Sequence, residues 1–163
     1  AARGGLESKR FAWGDEFMPA GPDGKPRHMA NTFQGDFPYR NTAADGFPGL
    51  APVKSFPPNG YGLYDMAGNV WNWTADLYRA DANADAASRG LCENPRGPSE
   101  TWDPSDPSAP VKRVVKGGSY LCHLSYCESY RPSARRGTPP DTGSSHVGFR
   151  CVLSDPPPSK EEK

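Results

Sequence analysis

Glycine and proline interrupt this chain so often that it can fold only into short elements joined by turns. Its 163 residues include 18 glycines and 19 prolines. Proline cannot donate a backbone hydrogen bond inside a helix, and glycine loses more conformational freedom on ordering than any other residue. No segment longer than about a dozen residues carries a sustained helical stripe of apolar side chains, and Asn and Asp add turn signals throughout. That punctuation alone would suit a disordered chain. However, 7 Phe, 7 Tyr and 4 Trp are spread over the same length, and aromatic side chains supply the apolar area a core needs. The expectation is an ordered, loop-rich domain. Short strands are predicted at residues 63–64, 70–74, 113–116 and 147–152. Residues 19–27 read as a surface turn and 95–110, rich in Pro, Ser and Asp, as a long surface excursion. Residues 155–163, proline-rich and then charged, read as a flexible tail. There is no internal repeat.

Charge narrows the function classes. Nineteen Lys and Arg balance 19 Asp and Glu, with no basic run, so the electrostatic footprint of a nucleic-acid partner is lacking. No apolar run is long enough for a membrane span, and no signal peptide is recognised, so the chain reads as soluble. Its length suits a single domain or part of one.

The residues with the most chemistry follow a glycine pair, in Gly117-Gly118-Ser119-Tyr120-Leu121-Cys122-His123-Leu124-Ser125-Tyr126-Cys127. Two cysteines five apart can close a disulfide if the loop curls, hold a soft metal, or do redox chemistry. A four-cysteine zinc site would require Cys92 and Cys151 to converge on the pair, and neither belongs to a Cys-x-x-Cys element. Two thiolates with few other ligands suit Cu(I). Oxygen-rich phrases form two further groups, Asn31, Thr32, Asp45 and Phe47, and Asp65, Gly68, Val70 and Asn72. Each mixes side-chain and backbone oxygens as Ca²⁺ accepts them; Asp-Gly and Gly-Asn are also ordinary turn formers. Trp71 and Trp73 would share one face of a strand, which core packing explains. Ser119 reads as a turn residue and His28 as a solvated one. His123, next to Cys122, could lower its thiol pKa or orient a substrate. Arg131 and Arg135 are assigned structural ties to carboxylates, and Cys92 reads as a small hydrophobe or surface thiol.

Residues 116–127, the upstream Gly60-Tyr61-Gly62-Leu63-Tyr64-Asp65-Met66-Ala67-Gly68-Asn69-Val70-Trp71-Asn72-Trp73-Thr74 and the later Gly148-Phe149-Arg150-Cys151 occur in family order. Together they resemble the formylglycine-generating enzymes. The resemblance runs from Arg3-Gly4-Gly5 and Trp13-Gly14 through Ala30-Asn31 and Asn41-Thr42-Ala43-Ala44-Asp45-Gly46-Phe47 to Cys151. It implies an irregular α+β fold related to C-type-lectin-like domains. Residues 1–154 would be the C-terminal portion of one such domain, with its N-terminal portion missing: a fragment, a cleaved product or one chain of a split protein.

The resemblance also implies the site. Cys122 and Cys127 would hold Cu(I) as thiolates, with Ser119 and Trp71 beside them in the active site and with His123 and His146 binding substrate. Calcium would sit at Asn31, Thr32, Asp45 and Phe47. A second calcium group at Asp65, Gly68, Val70 and Asn72 is weakened or lost, because Asn72 stands where many relatives carry glutamate. Cys151 would pair with an upstream cysteine in the missing portion. Ala2 and Pro132 occupy the two positions of the family's other common disulfide, which should therefore be absent.

The implied activity is a copper-dependent oxidation of a cysteine in a sulfatase Cys-x-Pro-x-Arg segment to Cα-formylglycine. O₂ and a thiol reductant are consumed, and the sulfatase polypeptide is met in unfolded or extended form. Thiol-dependent turnover suits a bacterial cytoplasm, whereas a Cys151 disulfide would suit a secreted or periplasmic protein. Two other classes share the glycine-aromatic phrases: non-catalytic lectin-like modules that bind peptides or glycans, and iron enzymes that join sulfur to histidine derivatives. The latter draw their iron ligands from a histidine-bearing domain, and this chain has only His28, His123 and His146.

Overall fold

The computed structural model describes residues 1–90, 97–108 and 111–152. Its order is β1 (Gly35–Asp36), β2 (Arg40–Asn41), β3 (Trp71–Leu77), α1 (Ala82–Ser88), β4 (Arg113–Lys116), β5 (Arg136–Thr138) and β6 (Val147–Gly148). The longest strand has seven residues, as the spacing of breakers demands. β1 and β2 make a small hairpin, and the other strands form one sheet in the order β5-β4-β3-β6.

β3 organises that sheet because its aromatic and β-branched residues favour a pleated, half-buried surface. It pairs antiparallel with β4 through Asn72↔Lys116, Trp73↔Val115 and Leu77↔Arg113, with an irregularity between Trp73 and Leu77. There Thr74 donates its hydroxyl to the Val114 carbonyl at 3.1 Å. Its other edge pairs in parallel with β6 through Trp71↔Val147 and Asn72↔Gly148, so the segment before β6 is carried to the start of β3.

Beneath the sheet lies a core of Phe11, Ala30, Ala67, Trp71, Val115, Cys122 and Tyr130, with Trp13, Phe17, Trp73, Cys127 and Val147 packed against it. Phe11 stacks on Trp13 at 5.2 Å, and Phe17 lies 5.4 Å from Tyr130. Burying an aromatic ring of this kind stabilises the fold by about 1.5–3 kcal/mol. One cysteine of the pair is therefore a core residue and the other abuts the core.

Two glycines fix the backbone around this core. Gly68, at φ +72°, passes so close that an added Cβ would lie 2.2 Å from the Asn31 carbonyl oxygen; at Gly118, φ +70°, it would meet the Tyr130 nitrogen at 2.7 Å. Only glycine tolerates both the conformation and the approach.

Several expectations need correction. Residues 113–116 form the predicted strand, but 63–64 do not: Asn59 Oδ1 accepts the amides of Tyr61 and Leu63, making a turn. The last strand stops at Gly148 instead of running to 152, and Phe149 and Val152 are exposed. Helix is limited to α1 among the described residues, which are sheet-rich and loop-rich, in line with the irregular, loop-rich domain expected. No apolar pattern announces α1, since it buries none of its residues. Residues 19–27 form the expected turn, closed by Arg27 N–H to the Pro19 carbonyl at 2.9 Å. The readings of Cys92 and of residues 155–163 lie outside the described residues, as does part of the excursion at 95–110. No helix among the described residues is long and apolar enough to cross a membrane.

A candidate active site around two cysteines

The loop after Gly118 curls in a sequence-determined way. The Cys122 amide donates to the Ser119 carbonyl at 2.9 Å, and the Tyr126 and Cys127 amides both donate to the His123 carbonyl, at 3.0 and 2.8 Å. This single turn places residues five apart on the same side. Outside the loop, Phe33 N–H donates to the Cys122 carbonyl at 3.0 Å and Tyr120 N–H to Asn69 at 2.9 Å. The result is a pair of free thiols whose sulfurs are 2.8 Å apart and hydrogen-bonded.

One proton is shared unequally between them. The hydrogen bond from Cys122 lowers Cys127 to about 5; burial opposes this, while the N–H and O–H of Ser129 and the charge of Arg136 reinforce it. The same interaction, and then burial, pushes the Cys122 thiol far above the ordinary range. Cys122 is buried and Cys127 half-buried, so the thiolate belongs to the more accessible sulfur. Such a sulfur is a nucleophile and a soft metal ligand at neutral pH.

The pair opens into a cleft of about 780 Å³ that Trp71, Ser119 and His146 also line. Ser119 is fully buried and its hydroxyl accepts the Leu121 amide at 3.2 Å, so the turn role and the cleft position coexist. His146 arrives through the parallel pairing of β6: Trp71 N–H donates to its carbonyl at 2.8 Å, and its Nδ1 meets Ser144 Oγ at 2.6 Å. Trp73 packs partly buried against the core, where the shared-face reading puts it.

His123 takes a different position. Its Nδ1 accepts the Ser125 amide at 3.2 Å and lies 2.7 Å from the Ser125 hydroxyl. It does not line the cleft; it stacks on Phe37, centroids 6.1 Å apart and planes within 5°, and Phe37 stacks in turn on Tyr126 at 4.9 Å. Phe37 and Tyr126 are cleft residues that the sequence reading passed over, although Tyr126 lies inside the cysteine motif. Arg136 was also missed. Recognition of a strand at 136–138 would have exposed it, because alternation puts Arg136 and Thr138 on one face, and both line the cleft. Arg131 makes the structural tie expected of it, to Glu128 at 3.3 Å.

The two oxygen groups differ in their fit to a cation. In the first, Asp45 accepts the Thr32 amide at 3.2 Å and the Phe47 amide at 3.1 Å. Asn31 donates to the Gly49 carbonyl and to Asn69, and its buried Oδ1 has no hydrogen-bond partner among the described residues. A buried oxygen in that state is costly, and a hard cation would satisfy it. In the second, the Asp65 carboxylate accepts the Lys54 amide at 2.9 Å, and Asn72 turns its amide nitrogen onto the Val70 carbonyl at 3.1 Å. A donor thus covers an oxygen that a cation would need, so this group does not fit. No three His, Cys, Asp or Glu side chains gather among the described residues. Metal held at the pair would therefore rest on the two sulfurs, a donor set suited to Cu(I).

Residues 1–155 match the family described as sulfatase-modifying factor enzyme 1-like domain. The chain is 47% identical over 156 residues to a formylglycine-generating enzyme of Thermomonospora curvata, covering 96% of this chain and 46% of that one. It is 44% identical over 157 residues to the Mus musculus formylglycine-generating enzyme, covering 96% and 37%. It thus spans less than half the length of either relative. Among solved structures, Treponema denticola variable protein 1 superposes with a TM-score of 0.51 at 24% identity, over 91% of this chain and 41% of that one, which bears on fold alone. Since the family match extends over all the elements and the cleft they build, the chain belongs to the sulfatase-modifying factor enzyme 1-like family, with formylglycine-generating enzymes as its relatives.

Proposed function

We propose that this chain carries the catalytic cleft of a formylglycine-generating oxidase, which converts a cysteine in a sulfatase Cys-x-Pro-x-Arg segment to Cα-formylglycine with O₂ and a thiol reductant. The observation that carries this reading is the hydrogen-bonded Cys122–Cys127 pair, 2.8 Å apart at the floor of an open cleft. On this reading the scaffold is an irregular fold related to C-type-lectin-like domains, and a reducing bacterial cytoplasm suits the thiol-dependent turnover.

Cys122 and Cys127 would hold Cu(I), which when bound supplies the one-electron and oxygen chemistry that side chains lack. The protein's own residues do the rest. Cys122, reinforced by Ser129 and Arg136, favours the Cys127 thiolate that ligation needs. Trp71, in the core cluster and at the cleft, forms a rigid apolar wall that excludes water. The open cleft admits an extended polypeptide, with His146 and Ser144 offering polar contacts to its backbone. Asn31, Thr32, Asp45 and Phe47 would hold Ca²⁺, completing the coordination of Asn31 Oδ1 and bracing the loop that leads to Phe33.

The test is mass spectrometry of a Cys-x-Pro-x-Arg peptide incubated with the protein, Cu(I), O₂ and a thiol, with the aldehyde trapped. Aldehyde should form with the unmodified protein and be lost in Cys122→Ala and Cys127→Ala. Full activity in both variants would refute the assignment of the pair. No aldehyde even when the portion that relatives carry is restored would favour a non-catalytic peptide-binding role. For calcium, a chelator should lower the melting temperature of the unmodified protein and leave an Asn31→Leu variant unmoved; equal shifts in both would place the ion elsewhere.

A further inference from the structure

Arg136 is the one residue lining the cleft, among those described, that carries a permanent charge, and no Asp or Glu lines the cleft with it. Its Nε donates to Ser129 Oγ at 3.3 Å. Its terminal nitrogens make no hydrogen bond to a described residue, and no described carboxylate lies within ion-pair distance of it. Two other arginines near the loop behave differently: Arg10 and Arg131 both pair with Glu128. A guanidinium presents a fork of donors that fits a carboxylate with two parallel hydrogen bonds, and at Arg136 that fork faces open space shared with Thr138, Thr142 and Ser144.

The neighbour on the other side of Ser129 identifies the ligand. Ser129 is buried; it accepts a hydrogen bond from Arg136, and its amide and hydroxyl are among the groups that lower Cys127. The guanidinium is thus one side chain away from the more accessible sulfur of the pair. A molecule anchored at Arg136 by a carboxylate can bring its own sulfur to Cys127 only if the two groups are a few bonds apart.

We propose that Arg136 binds the carboxylate of a short mercapto acid and thereby docks the reductant that reopens a Cys122–Cys127 disulfide. This rests on the thiol-dependent turnover set out above. The incoming thiolate attacks Cys127 Sγ, the bond to Cys122 breaks, and Cys122 leaves as a thiolate that takes up a proton. A second thiol attacks the mixed disulfide and releases Cys127. Two thiols become one small disulfide, and the protein pair gains two electrons and two protons.

The test uses the full chain, mildly oxidised, with the disulfide confirmed by peptide mass spectrometry. Its reduction is timed with 3-mercaptopropionate, 2-mercaptoethanol and cysteamine, each rate expressed per thiolate. The anionic thiol should lead the cationic one by roughly tenfold, the size of one charge-assisted contact, and added salt should shrink the lead. In Arg136→Gln the ratio should fall to near one, and Arg136→Lys should keep part of it. Because loss of Arg136 alters Cys127 equally for all three thiols, the ratio isolates recognition of the carboxylate. An unchanged ratio in Arg136→Gln overturns the proposal, as does failure of the pair to close into a disulfide. A thiol-free glutamate peptide that slows all three thiols equally, while its glutamine counterpart does not, would assign Arg136 to an acidic polypeptide and overturn the reductant role. Neither copper nor substrate peptide is present, so this outcome is independent of whether aldehyde forms.

Discussion

Lys112 and Cys127 are both charged groups drawn inward, one just before β4 and the other in the loop that follows it, yet they are treated in opposite ways. Lys112 is buried and fully paired, with Asp103 at 2.7 Å and Asp106 at 2.9 Å. Asp103 is braced in turn by the Ser105 hydroxyl and amide. Cys127 has no cation in direct contact among the described residues; its charge is stabilised by the Cys122 thiol, Ser129 and the field of Arg136, and its cleft is open. A satisfied charge fastens the segment around 101–108 to the sheet and has no capacity left for a ligand. A charge held by neutral donors and one distant cation remains available to a metal or an incoming thiol.

The sharpest way to break this contrast is to remove the donor that holds the thiolate. Alkylation of Cys127 by iodoacetamide, followed by peptide mass spectrometry, should rise with pH to a plateau with its midpoint near 5. In Cys122→Ala the midpoint should move up toward that of an ordinary thiol, because the hydrogen bond that favours the anion is gone. At pH 6 the rate should fall roughly tenfold; the thiolate fraction drops further than that, but a more basic thiolate is also more reactive. An unmoved midpoint would mean that Ser129 and Arg136 suffice without Cys122.

These two regions were not equally legible in the sequence. The cysteine pair could be read because its chemistry is local: a glycine pair, a five-residue spacing and one turn bring the sulfurs together. The strand at 113–116 was legible for the same reason, since Val114 and Val115 bury themselves within one short run. Arg136 was not, because its importance depends on β5 pairing with β4 to bring it over Ser129. Lys112 was also invisible, since a lysine among Pro, Ser and Asp reads as solvated until the fold encloses it. The calcium groups were legible as oxygen-rich phrases, but not the difference between them. That difference lies in where two amide side chains point: Asn31 leaves an oxygen unpartnered, whereas Asn72 covers the Val70 carbonyl.

A second, smaller effect tests the other half of the contrast. Lys112→Met keeps the length of the side chain but leaves Asp103 and Asp106 facing each other without a cation. Removing one partner of an inward ion pair destabilises more than the pair itself contributes. The melting temperature should fall by roughly 5 °C, while the alkylation midpoint of Cys127 stays where it was. Movement of both would mean that the segment around 101–108 and the cleft form one cooperative unit.

The smallest expected effect is the acid limb of stability, and its sign follows from the direction of the shift. The hydrogen bond from Lys112, with help from Ser105, lowers Asp103 to about 2, against an unfolded carboxyl near 3.9. A group whose folded pKa is depressed contributes stability above its unfolded value and loses it as pH falls through the folded one. The melting temperature should therefore decline between about pH 4 and pH 2, a window in which both thiols are already protonated and the cleft adds nothing. Asp15, Asp81 and Asp106 are lowered as well, so the slope belongs to several carboxylates. Comparison with Asp103→Asn isolates one of them: the variant should start less stable at pH 6 and lose less on acidification. If instead the two slopes are parallel, the Asp103–Lys112 contact persists in the unfolded chain or contributes nothing, and Lys112 would then be held by the packing of its stem instead of by its charge.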